Sequence, residues 1–152
     1  MTHRHDGELV VFHIGLEIHR WWRPDVWLPA FMAMPAMLRE LFADPESALR
    51  GADVLIGRGG PYVVQYWSSL DALYAYATAP ESEHRPAWTR FNKMARRHPG
   101  AVGIWHETYQ VARAETMYVS TRRRGLAAAT EAIPVTARHD RARQRIADGR
   151  TA

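Results

Sequence analysis

The sequence contains no cysteine, which excludes disulfides, thiolate nucleophiles, cysteine-bound zinc and iron–sulfur clusters together. It also lacks an unbroken apolar run of membrane-spanning length. The longest, Val26 to Leu38, is interrupted by Pro29 and Pro35, whereas a span needs about 20 apolar residues. No small-residue cleavage site follows the opening Met1-Thr2-His3-Arg4-His5-Asp6, so no signal peptide is expected and the expected location is the cytoplasm. Lysine is nearly missing too: Lys93 is the one lysine among 20 basic residues. We read that as genome composition rather than chemistry. The net charge of +4 is concentrated at one end. Residues 136–152 carry Arg138, Arg141, Arg143, Arg145 and Arg150 against Asp140 and Asp148, five minus two, so +3 of the +4 and only +1 for the rest. A basic terminus is not a basic face, and neither nucleic acid nor a membrane is expected as a partner.

What is present is enough for a core. With 47% apolar and 11% aromatic residues in 152, one domain is expected over residues 8–135, with a flexible stretch at 1–7 and a mobile basic tail at 136–152 whose single large apolar residue is Ile146. Residues 8–19 read as a strand because Val10, Phe12, Ile14, Leu16 and Ile18 alternate with Val11, His13, Gly15, Glu17 and His19. Residues 24–43 read as a helix: Pro24 suits its first turn, Asp25 its dipole, and Trp27, Phe31, Met34, Leu38 and Leu41 recur at helical spacing. Strands are expected at 53–57 and 61–67, with a helix opened by Ser68-Ser69-Leu70-Asp71, another over 86–97, a strand over 101–111 and a short one over 115–120. Gly57-Arg58-Gly59-Gly60 superficially suggests a phosphate loop, but it sits between two strands without the Lys-Ser/Thr of a P-loop, which favours a hairpin turn.

The order β-α-β-β-α-(α)-β-β is that of a ferredoxin-like α+β fold, an antiparallel sheet with helices on one face. The other face is then expected to be hidden in a homodimer, giving a dimeric α+β barrel. If the even residues of the first strand meet the helices, His13 and Glu17 look into the space between the sheets. The strand over 101–111 offers two sets, Ile104, His106 and Thr108 or Trp105, Glu107 and Tyr109, and the sequence leaves open which of them faces that lumen. A face combining His, Glu, Gln65 and Trp67 amid apolar residues suits a small-molecule pocket, with Phe31 and Met34 of the first helix as further substrate contacts. Each of these residues also has a structural role open to it, as hydrogen-bonded or packed core. His13 and Glu17 lie roughly 13 Å apart along one strand, too far for direct pairing. No nucleophile elbow is present, and although His13, Glu17, His106 and Glu107 are of metal-ligating type, no ligand spacing singles out a site among them.

Two stretches carry a family likeness. Gly57-Arg58-Gly59-Gly60-Pro61-Tyr62-Val63-Val64-Gln65-Tyr66-Trp67-Ser68-Ser69, with Leu73-Tyr74-Ala75-Tyr76-Ala77 after it, is the first. His84-Arg85-Pro86-Ala87-Trp88-Thr89-Arg90-Phe91-Asn92, leading to Val102-Gly103-Ile104-Trp105-His106-Glu107-Thr108-Tyr109, is the second. Over residues 8–135 the chain resembles a family of fumagillin-pathway monooxygenase-like proteins, formerly a domain of unknown function. That family resembles the dimeric α+β barrel superfamily of antibiotic-biosynthesis monooxygenases, haem-degrading enzymes and aldoxime dehydratases. The resemblance implies a fold and a class more firmly than a reaction.

Three functions follow as expectations. The first is a cofactor-independent oxidoreductase acting on an apolar aromatic or polyketide-like small molecule, with His106 or His13 as base and Gln65, Trp67, Trp105 or Tyr109 around the substrate. The second is a haem enzyme with His106 or His13 as axial ligand. The third is a ligand-binding module without chemistry. Of the eight histidines, His106 is the preferred functional one, facing the lumen if the helices cover Trp105 and Tyr109.

Overall fold

In chain order, β1 (Thr2–Arg4), β2 (Val10–Ile18), α1 (Pro24–Ala43), β3 (Leu49–Ile56), β4 (Pro61–Trp67), α2 (Leu70–Thr78), α3 (His84–Arg97), β5 (Val102–Gln110), α4 (Leu126–Ala129), β6 (Glu131–Ile133) and α5 (Ala142–Asp148) succeed one another. The structure is a computed structural model and describes residues 1–80 and 84–148. The main sheet has the order β3-β4-β2-β5, all neighbours antiparallel. This is the ferredoxin-like α+β topology expected from the sequence.

Residues opposed across an antiparallel pair share a face, so the register assigns every side chain. Ile14 stands opposite Val63 and His106, and Phe12 opposite Gln65 and Thr108. These lie on the helix side with Val10, Leu16 and Ile18. His13 stands opposite Val64 and Glu107, and Gly15 opposite Tyr62 and Trp105, on the open side. Gly15 is obligatory there: a Cβ on it would lie 2.6 Å from the Cβ of Tyr62 and 2.7 Å from the Trp105 ring. The 53–57 strand begins earlier than expected, at Leu49, because a bulge between Leu49 and Gly51 restores pairing with β4. The Gly57–Gly60 segment is a hairpin turn closed by the Gly57 N–H donating to the Gly60 carbonyl at 2.9 Å. The cap of α2 is Ser69, one residue later than Ser68, its Oγ accepting from the Ala72 N–H at 3.1 Å. Gly100 ends α3 with φ +68°.

The helix side is held by two separate clusters. Val10, Leu41, Leu49, Trp67 and Leu73 form one, and Leu16, Ile18, Val26, Ala101 and Val102 the other. Burying side chains of this size contributes about 1.5–3 kcal/mol each. Only Val26 and Leu41 of α1 are buried, one near each end, one in each cluster. The middle of α1 therefore bridges the sheet without closing on it. α1 is also 20 residues long and, by length and composition, apolar enough to cross a membrane, which the proline-broken run did not suggest.

Both chain ends depart from expectation. The 115–120 strand does not form. That segment instead donates the Tyr118 N–H to the Met1 carbonyl at 2.8 Å and sets Thr116 Oγ1 2.9 Å from His3 Nδ1. Residues 1–7, expected to be flexible, contain β1, which pairs with β6 in a second, two-stranded sheet. The tail expected to be mobile contains a 3₁₀ turn (Ala137–His139) and α5, and buries Arg145 against Glu115. The physical reason is the same at both ends: polar groups that looked solvated in sequence find partners in each other. Residues 149–152 of that tail lie outside the described residues.

Candidate functional site

A cavity of about 200 Å³ lies where α1 spans the helix side of the sheet. Ala30, Phe31, Met34 and Leu38 roof it, and Ile14, Leu16, Val63 and Ile104 form its floor. Among the described residues no charged side chain lines it, and the Tyr62 ring packs on the other face of the sheet, against Trp105. An engineered apolar cavity of about 150 Å³ holds benzene, so this one suits a compound of about one or two rings. A smaller chamber of about 50 Å³ adjoins it, sharing Ile14 and Met34, and is lined further by Phe12, Gln65, Trp67 and Tyr76.

The smaller chamber carries the polar chemistry. Gln65 is 6% exposed, and its Oε1 accepts from Trp67 Nε1 at 2.9 Å. Indole nitrogen is only ever a donor, so it must face the amide oxygen, and the Gln65 NH₂ points the other way. That NH₂ has no partner among the described residues. A buried donor left unmatched costs about 1–3 kcal/mol unless something accepts from it. Trp67 is itself fixed, 1% exposed and 5.7 Å from the Tyr76 ring, while the Tyr76 hydroxyl donates to Glu40 at 3.2 Å. The arrangement therefore presents one oriented amide donor to an apolar space.

His106 stands on the same face, opposite Ile14, with its ring 5.8 Å from that of Phe12. Two strand spacings and a two-residue offset along the strands, roughly 12 Å in all, separate it from Gln65. It is exposed, on an edge strand, and lines neither chamber itself, its nearest link to them being Phe12. The expectation that His106 faces the space between sheets is thus corrected: Ile104, His106 and Thr108 lie on the helix side, with His106 and Thr108 exposed beyond the helices, because β5 pairs with β2 in the register that aligns His106 with Ile14.

His13, Glu17, Trp105 and Tyr109 occupy the open side and do not reach the cavity. His13 packs edge-on to Tyr109 at 5.6 Å, and Tyr109 donates to Glu107 Oε2 at 2.6 Å. That bond holds the Tyr109 phenol above its ordinary value, with desolvation and the Glu107 charge acting the same way. Trp105 lies 5.8 Å from Tyr62 across the glycine gap, and the Glu17 carboxylate sits against Gly59 of the hairpin turn. Towards β3 this side is covered by α4: the Gly125 N–H donates to Asp53 at 3.0 Å, and Ala129 lies against Gly51. Beneath it, burial raises the Tyr66 phenol, and Asp53 adds to the rise. Of the residues anticipated from sequence, Gln65, Trp67, Phe31 and Met34 are brought together and His106 adjoins them, while His13, Glu17, Trp105 and Tyr109 form a separate group. Sequence reasoning missed Ala30 and Leu38. Only the helical spacing of Leu38 hinted at a place on the inner face.

A haem ligand needs an imidazole aimed into a cavity of porphyrin size. His106 is exposed at an edge and His13 lies across the sheet from the cavity, so these histidines do not fit that group. Among the described residues no group of three His, Asp or Glu side chains could hold a metal ion.

Residues 9–126 match the family described as Monooxygenase af470-like. The chain belongs to that family. It is a monooxygenase-like oxidoreductase of the ferredoxin-like fold, in agreement with the likeness carried by its two motif stretches. No curated protein matches the chain in sequence. Similar solved structures include SnoaB from Streptomyces nogalater, described as a cofactor-independent oxygenase, at 14% identity and TM-score 0.49, covering 71% of this chain and 97% of that one. A dimeric ferredoxin-like protein of unknown function from Jannaschia sp. CCS1 is 17% identical at TM-score 0.43, covering 65% and 97%. Another from Thermobifida fusca is 15% identical at TM-score 0.47, covering 69% and 92%.

Proposed function

We propose that the chain oxygenates a small apolar compound between α1 and the sheet, without a bound cofactor, using electrons of the substrate itself. A phenol or enol bearing an acidic C–H loses its proton, and the resulting carbanion reduces dioxygen to a hydroperoxide. Loss of water then leaves a carbonyl, so that CH₂ plus O₂ becomes C=O plus H₂O. The reading is carried by the Gln65 amide donor, fixed by Trp67, in a chamber whose other lining residues besides Tyr76 are apolar. Such a donor stabilises an oxygen that gains negative charge as the proton leaves. His106, on the same face at the sheet's edge, is the group within reach of solvent that accepts the proton; His13 is not, since it stands on the other side. The open side, with Trp105, Tyr62 and Tyr109, is the surface on which a second copy of the chain would pack.

The test is oxygen uptake with a panel of one- and two-ring acidic phenols and enols. Gln65→Leu removes the donor while filling its volume and is expected to lower kcat about 100-fold, in the range for loss of one oxyanion donor. His106→Ala is expected to lose turnover, with His13→Ala close to the parent. Turnover unchanged in Gln65→Leu refutes the assignment.

A further inference from the structure

The solvent side of α1 is apolar. The helix holds three charges, Asp25, Arg39 and Glu40. Asp25 is neutralised by a two-pronged bond from Arg23 at 2.8 and 2.6 Å, and Glu40 accepts from Tyr76. Met32 and Phe42 are each 56% exposed and Leu28 42%. Immediately before the helix stand Trp21 and Trp22, the latter 74% exposed. The turn carrying them is built rather than loose: the Trp27 Nε1–H donates to the Trp21 carbonyl at 3.2 Å, and the two rings meet at 5.7 Å. Alongside runs α3, with Arg90 and Met94 sharing a groove with Pro29 and Ala33 of α1. Arg85, Arg90, Lys93, Arg96 and Arg97 of α3 are exposed, and no acidic residue occurs between His84 and Arg97.

We propose that this helical layer docks on an anionic membrane surface, with Trp21, Trp22, Leu28 and Met32 entering the interface and the α3 cations meeting lipid phosphates. An apolar helix face edged by tryptophan and flanked by charge of one sign is what lies in, rather than across, a bilayer interface. The charge selects the occupant. A second copy packed on this layer would set α3 cations against α3 cations, and a nucleic acid would find no charge to contact along the Leu28–Met32 face. By length and composition α1 could also cross a bilayer, but the α3 cations running alongside it favour a place at the surface. If the proposed oxygenase reading holds, the cavity roofed by Ala30, Phe31 and Met34 lies directly behind this layer, and a lipid-soluble substrate would reach it from the bilayer. The docking itself does not depend on that reading.

Flotation of the full chain with phosphatidylcholine vesicles, with and without phosphatidylserine, tests it without any turnover measurement. Binding is expected to require phosphatidylserine and to weaken with salt. Trp22→Ser is expected to reduce partitioning about tenfold or more, and Lys93→Gln and Arg97→Gln about fivefold each. These positions are exposed, and circular dichroism is the check that the variants fold. No flotation with phosphatidylserine at low salt, or flotation unaltered by the variants, overturns the proposal. So does light scattering in which Trp22→Ser turns an assembled chain into a smaller one.

Discussion

Arg145→Met should unfasten both ends of the chain. The Arg145 side chain is 6% exposed, its Nε donates to Glu115 Oε1 at 2.5 Å, and its Nη1 donates to the His139 and Asp140 carbonyls at 2.8 Å each. Methionine fills similar space but leaves a carboxylate and two carbonyls without their donor. Breaking one side of a buried pair costs about 3–5 kcal/mol. Glu115 is 27% exposed, so water recovers part of that, and we expect about 2–3 kcal/mol. For a chain of this length about 2–4 °C of melting temperature corresponds to each kcal/mol, giving a drop of roughly 5–10 °C by circular dichroism. Glu115→Met in the Arg145→Met background should restore part of it, because the stranded carboxylate is then gone. Truncation after Val135 should reproduce the single-variant loss. A truncated chain melting within about 2 °C of the parent refutes the reasoning and returns the tail to a solvated terminus.

Gly15→Ala places a Cβ 2.6 Å from the Tyr62 Cβ. Neither backbone can move aside, so urea denaturation should register a loss of at least about 1–3 kcal/mol. Ala30→Leu fills the α1 cavity and should raise stability by about 0.5–2 kcal/mol while abolishing uptake of a small apolar dye read by fluorescence; increased dye binding contradicts the assignment. His3 is held below the ordinary imidazole value by burial first and by His5 next, with Glu115 opposing them. The unfolded chain therefore takes up this proton first. Stability is full above about pH 6.5 and falls as the pH drops from there through the folded value, by up to about 1.4 kcal/mol per pH unit. Melting curves of His3→Gln should be flatter across that window than those of the parent, and parallel curves would refute the linkage.

The β-α-β-β-α-β order and the even face of β2 were legible because each rests on local period: 2 in Val10 to Ile18, 3.6 in Trp27 to Leu41. Which face of β5 meets the helices was not. Ile104, His106 and Thr108 are as mixed as Trp105, Glu107 and Tyr109, so the decision belongs to the pairing of Ile14 with His106, a contact across most of the chain. The cavity was illegible for a related reason. It arises because only Val26 and Leu41 of α1 are fully buried, while Ala30, Phe31 and Leu38 between them are only partly so, and a gap between two anchors leaves no mark in the residues that span it. The ends misled because composition treats charge as solvated, whereas Arg145 and Glu115 are partners.

The Gln65–Trp67 pair was, by contrast, within reach of the sequence. Residues two apart on a strand share a face, so β4 had to place the amide beside the indole once the strand was recognised. Trp67 can only donate and Gln65 can do both. Their adjacency therefore fixes the amide's orientation before any coordinate is known, and leaves the NH₂ as the group in search of a partner. What the fold adds is the environment. Phe12, Met34, Leu41 and Leu73 surround the pair and accept nothing from it, and the Tyr76 hydroxyl is bonded to Glu40, so the demand falls on whatever enters the cavity. A ligand oxygen meets that demand, and a pure hydrocarbon leaves it unmet. The same geometry that positions the donor thus selects for a substrate bearing an acceptor oxygen on an otherwise apolar frame.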